Sequence, residues 1–186
     1  MTKLEKQMLS RRYTQTAISL HWLMAVLLIG LLILGFYIHD LPLSPWKLKV
    51  FSWHKWAGVS AFLLVITRLI WRFSHKPPAL PILMKRSAVI AAHVGHFMLY
   101  LLMIAIPLTG WLMSSAKGFQ TVYFGVLPIP DLLVKNKELG SLLREVHEIL
   151  NFALIALVLG HVLATLKHQL VDQDDVLTRM LPHRFR

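Results

Sequence analysis

Four long apolar runs constrain this chain more than any other feature. Residues 16–38 form a stretch of 23 without Asp, Glu, Lys or Arg, enough for the roughly 20 residues that a bilayer core requires. Residues 53–71 carry Lys55 near one end and Arg68 near the other, with an uncharged stretch between them. Residues 88–113 hold only His93 and His96 as ionisable groups, and residues 149–166 only His161. A soluble domain would be nearer a quarter charged, whereas this one is 16% charged and 56% hydrophobic, with a mean hydropathy of +0.58. The expected architecture is all-α, an integral membrane four-helix bundle. It forms one domain over residues 1–186, with spans at about 16–38, 53–71, 88–113 and 147–168. The first run is too long for a removable signal and lacks a small-residue cleavage site, so it is read as a span.

Between the runs, His75-Lys-Pro-Pro-Ala-Leu-Pro81 reads as a tight connector, because successive prolines bar a continuous helix. Pro107 should kink the third helix. The longest connector, residues 114–144, has Pro128 and Pro130 in its middle. From Asn136, a natural N-cap, apolar residues follow helical spacing, so the fourth helix is expected to begin outside the membrane. The tail from Asp172 mixes charges with Val176, Leu177, Met180 and Leu181, the pattern of a short interfacial helix.

Four spans place both termini on one side. That side, counting the connector between spans two and three, holds thirteen of the twenty Lys and Arg residues, against seven opposite. By the positive-inside rule both termini are cytoplasmic. Much of the net charge of +11 is thereby assigned to topology and to contact with membrane lipid, with no nucleic-acid partner expected.

The chain has no cysteine, which excludes disulfides, thiolate zinc sites, iron–sulfur clusters and thioether-linked haem. Ten histidines remain, and ionisable groups inside spans are functional candidates. His147 and His161 are 14 residues apart, a rise of about 21 Å, and they return to within about 40° of one helix face. This is the spacing of a helix that ligates two stacked haems. Depth matching supplies partners: His21 lies level with His161 on the inner side, and His54 level with His147 on the outer side. Arg68, 14 residues after His54, lies at the inner depth, placed either to neutralise a haem propionate or to snorkel towards headgroups. His93 and His96 compete with His21 as inner ligands. Together with His168 they could instead contact propionates or donate protons near a quinone. His39, His75 and His183 read as ordinary interfacial groups. Gly35, Gly58, Gly95 and Gly160 offer room for a macrocycle or simply serve helix packing.

The segments SLHWLM around His21, WHKWAGVSAFLLVITRLIWR from His54 through Arg68, PPALP, AHVGHFMLYLLMIAIPLTGW, REVHEILNFALIALVLGH and DVLTRMLP resemble the bacterial cytochrome b561 family over nearly the whole chain. The resemblance implies a multi-pass protein of the bacterial inner membrane with two haem b groups. It places their axial ligands on His21 and His161 (inner) and on His54 and His147 (outer), with the family's helix-two arginine on Arg68. It further implies a superoxide:quinone oxidoreductase, with superoxide as donor and ubiquinone, from the quinone pool, as acceptor. Two axial imidazoles favour electron transfer over O₂ binding. Lys47, Lys49, Lys55, Lys117, Lys135, Lys137 and Arg144 could attract the anion, although Asp40, Asp131, Glu138, Glu145 and Glu148 share that side. Two other readings stay open: a cytochrome that links a partner dehydrogenase or a quinol to another redox protein, and a haem-free transporter or structural subunit that uses histidines for protons.

Overall fold

The computed structural model describes residues 12–81 and 84–182. His183, with Lys3, Lys6, Arg11, Arg184 and Arg186, lies outside the described residues. Four helices dominate: α1 (Gln15–Asp40), α2 (Pro45–Ser74), α3 (Arg86–Ala116) and α4 (Lys137–Lys167). All four are long and apolar enough to cross a membrane.

Local chemistry sets where they start. Thr14 caps α1 by accepting from Ala17 N at 3.2 Å, and Asn136 caps α4 by accepting from Leu139 N at 3.0 Å. α2 begins eight residues ahead of the expected span, because Ser44 accepts from Lys47 N at 3.2 Å and Pro45 occupies the first turn. A side-chain cap followed by proline is a strong helix start even where the residues beyond it are charged. Pro107 lies inside α3, which continues through it.

α1 packs on α2, α2 on α3 and α3 on α4. Few side chains are fully buried. Met24, Val65 and Met103 meet at mid-depth with Leu28, Phe62 and Tyr100 around them, while Val26, Ile33 and Leu163 face outward and exposed. An apolar exterior around a thin core suits a lipid solvent, where helix association rests on close packing.

The connector between α3 and α4 contains a short hairpin. β1 (Thr121–Tyr123) pairs antiparallel with β2 (Leu127–Ile129). The turn places Phe124 at φ 50° and Gly125 at φ 74°, the double left-handed geometry that matches strand twist. Pro128 is tolerated because β2 is an edge strand.

At the opposite end, α4 runs into a π-helical turn (His168–Asp172), and the expected tail helix shortens to one 3₁₀ turn (Thr178–Met180). Gln173 at φ 51° breaks the helix there. The segment is tied down by Trp22 Nε1 donating to Met180 O at 2.8 Å and Arg179 Nη1 donating to Ala79 O at 2.6 Å. The bundle thus has a hairpin end and a termini end.

Candidate functional site

Two pairs of imidazoles face each other across the bundle, one near each end. At the hairpin end the rings of His54 on α2 and His147 on α4 have centroids 6.5 Å apart. His147 is oriented by α3: its Nδ1–H donates to Ile106 O at 3.0 Å, with the Thr109 hydroxyl oxygen 3.1 Å away. This fixes the tautomer and leaves Nε2 free for a ligand. Gly110 makes room for the ring, since a Cβ there would stand 3.2 Å from His147 Cε1. A Cβ at Gly35 of α1 would stand 3.6 Å from His54 Cε1, and His54 Nδ1 is buried with no protein partner. A buried polar atom left unpaired costs on the order of 1–3 kcal/mol, so the protein alone leaves this imidazole unsatisfied. A cavity beside this ring is lined by both histidines, Leu28, Met103, Asn151 and Leu154.

At the termini end His21 on α1 and His161 on α4 have ring centroids 6.3 Å apart. His96 on α3 also reaches this level, its ring 5.5 Å from that of His161. Arg68 donates through Nε to the Tyr100 hydroxyl at 3.0 Å and through Nη2 to His21 Nδ1 at 2.9 Å. A guanidinium has no acceptor, so His21 accepts here and carries its own proton on Nε2. Arg68 is thus directed into the bundle towards the ring pair, and the purely snorkelling geometry is not the one adopted. A neighbouring cleft is lined by Arg68, Arg72, Tyr13, Tyr100 and Trp71.

The remaining histidines are engaged elsewhere. His93 is exposed, with Nδ1 2.7 Å from Val89 O on its own helix. His168 pairs with Asp174 at 2.7 Å and Asp172 at 3.1 Å. His39 pairs with Asp40 at 3.0 Å, and His75 stacks on Trp71 at 3.9 Å. Of the four glycines singled out, only Gly35 abuts a histidine; at Gly58, Gly95 and Gly160 a Cβ would meet nothing within 4 Å.

These separations can be compared with a metal centre. Two metal–imidazole bonds of about 2 Å, each extended by roughly 1 Å to its ring centre, place the rings about 6 Å apart across one ion. The facing pairs, at 6.3 and 6.5 Å, fit that span, whereas His96 and His161 at 5.5 Å are tight for it. An apolar cavity between facing imidazoles is the setting of a bis-histidine macrocycle, and the residues present fit one.

The model of the prokaryotic cytochrome b561 family matches residues 12–183. The chain belongs to that family. Its relatives include cytochrome b561 homolog 2 of Escherichia coli strain K12, 31% identical over 91% of this chain and 91% of the relative. The probable superoxide oxidase CybB of Yersinia pestis is 31% identical over 94% of this chain and 98% of its own length. Cytochrome b561 homolog 1 of E. coli K12 is 27% identical over 93% and 98% respectively. This b561 protein is therefore a multi-pass bacterial membrane electron carrier of a family that binds haem b.

Tyr100, Thr109, Gly110 and Asn151 did not stand out in the sequence. Thr109 and Gly110 follow Pro107, and a proline in a spanning helix is a signal to inspect the residues one turn on. Tyr100 offers no such signal, because its partner Arg68 is 32 residues away.

Proposed function

We propose that this b561 protein holds two haem b groups, one on His54 and His147 and one on His21 and His161, and passes electrons between the two ends of the bundle. The observation that carries the reading is the pair of facing-imidazole separations, 6.3 and 6.5 Å. Bound haem would supply a one-electron iron couple with both axial positions filled. The chain's own residues do the rest. Ile106 O holds the His147 proton on Nδ1, so that Nε2 is the ligating atom. If His21 ligated through Nε2 its proton would sit on Nδ1, which cannot accept from Arg68, and the guanidinium would be free to pair with an anion such as a haem propionate. The Tyr100 hydroxyl keeps the guanidinium in reach of both positions.

The net reaction is oxidation of two superoxide ions to two O₂, with one ubiquinone taking up two electrons and two protons to give ubiquinol. The name of the Yersinia relative supports this donor. So does the charge at the hairpin end, where none of Lys47, Lys49, Lys55, Lys117, Lys135, Lys137 and Arg144 forms an ion pair among the described residues. Burial, and after it the neighbouring Arg144 guanidinium, push the Lys117 ammonium below its ordinary range. The hairpin end faces the periplasm and both termini the cytoplasm, in the inner membrane. Purified, haem-loaded protein given superoxide and a short-chain ubiquinone should form quinol faster than superoxide disappears by dismutation. Quinol formation no faster than in a protein-free control rejects the reaction.

A further inference from the structure

Between Lys117 and Asp131 the chain runs through residues 118–130 without a charged side chain. This run folds into the β1–β2 hairpin and exposes Phe119, Val122, Phe124, Val126 and Leu127 side by side. Clustered apolar groups on a surface mark a contact with another molecule or with a membrane. Depth decides between them. Val122 O accepts from Trp56 Nε1 at 2.6 Å, and the Tyr123 hydroxyl meets Ser60 Oγ at 2.9 Å. Ser60 lies 15 residues beyond Pro45, the first residue of α2, or about 22 Å along its axis. α2, at 30 residues, is about 45 Å long against a hydrocarbon core of about 30 Å. Even if all the excess projected at the hairpin end, Ser60 would remain about 7 Å inside the hydrocarbon. The hairpin therefore lies against the spanning helices, with β1 packed against α2 and α3 and the Tyr123 side chain reaching to Ser60.

Backbone in hydrocarbon must have its polar groups satisfied from within the protein. Helix donors do this here: Trp56 bonds Val122 O, and Trp111 Nε1 bonds Pro130 O at 3.0 Å. Pro128 and Pro130 remove two N–H groups from the edge strand and its exit. Phe124 holds φ 50°, a costly conformation for a bulky residue, and its ring lies 5.4 Å from that of Trp56. The apolar surface thereby continues the outward side of α2, where Leu63 and Ile66 are exposed.

We propose that the 118–130 hairpin is immersed in the bilayer leaflet at its end of the bundle, a wedge in the seam between α2 and α3 whose partner is lipid acyl chains. Because the chain lacks cysteine, Val126→Cys and Leu127→Cys each carry a single nitroxide label in the full-length protein. The discs hold one copy each in phosphatidylethanolamine and phosphatidylglycerol. Ile33→Cys on α1, 65% exposed, serves as the lipid control, and Val134→Cys beyond the hairpin, 86% exposed, as the water control. Collision rates with oxygen and with a water-soluble nickel complex are compared. We expect the oxygen-to-nickel ratio at 126 and 127 to match that at 33 and to exceed that at 134 roughly tenfold, as for a site without water. A ratio equal to that at 134, or labels shielded from both reagents, overturns the proposal. If Val126→Cys fails to fold, Leu127→Cys decides alone.

Discussion

The tightest test of the hairpin-end pair is a single methyl group. A Cβ at residue 110 would stand 3.2 Å from His147 Cε1 and 3.5 Å from its Nδ1, whereas carbon atoms pack best at about 3.5–4.0 Å. In Gly110→Ala the ring must therefore retreat by roughly 0.3–0.5 Å. A metal–ligand distance tolerates about 0.2 Å, and the same retreat lengthens the Nδ1 bond to Ile106 O, now 3.0 Å. Disturbing the group that orients a ligating imidazole typically weakens metal binding about 10–100-fold, equivalent to about 1.4–2.8 kcal/mol. The measurement is a haem titration of purified protein in a His161→Ala background, which leaves only the hairpin-end pair, followed by the reduced α-band. Gly30→Ala is the control, because a Cβ there meets nothing within 4 Å; it should leave affinity unchanged. Gly110→Ala with the affinity of the control, and with unchanged helicity, would show that His147 does not hold the group through the geometry described.

Other expectations follow from the same contacts. His161→Ala should lose the termini-end haem and largely keep the other, and His147→Ala the reverse, as counted by haem-to-protein ratio; full occupancy in either variant contradicts the ligand pairs. Tyr100→Phe removes the hydroxyl that accepts from Arg68 Nε at 3.0 Å. It should cost about 1.5–3 kcal/mol of interaction with the charged group and shift the midpoint potential of one haem only, read by redox titration; equal shifts in both would place Arg68 elsewhere. Lys117→Glu in a pair with Arg144→Glu should slow superoxide-dependent quinol formation several-fold at low salt and flatten its ionic-strength dependence. Stopped-flow rates that keep the wild-type salt dependence would remove the cationic surface from the reaction.

Much of the scaffold is legible without coordinates because hydropathy and capping are local. Apolar runs with few or no charges mark the spans, Asn136 marks the start of α4, and the 14-residue step from His147 to His161 marks one helix face. The hairpin was not legible. Its strands are three residues each, too short for a periodic signal, and Pro128 argues locally against a strand that an edge position permits. Arg68 was half legible, since spacing gave its depth but not whether it would turn outward to headgroups or inward to His21.

Four membrane spans, the exclusion of thiolate ligands and two histidine levels on α4 are thus properties of the sequence alone, because each depends on composition or on the fixed rise of a helix. Which imidazoles stand 6.3 and 6.5 Å apart, that Ile106 O and Gly110 orient His147, and that an uncharged loop sends Tyr123 to Ser60 were decided by tertiary structure. These arise between residues tens of positions apart, where helix packing, and not sequence spacing, sets the distance.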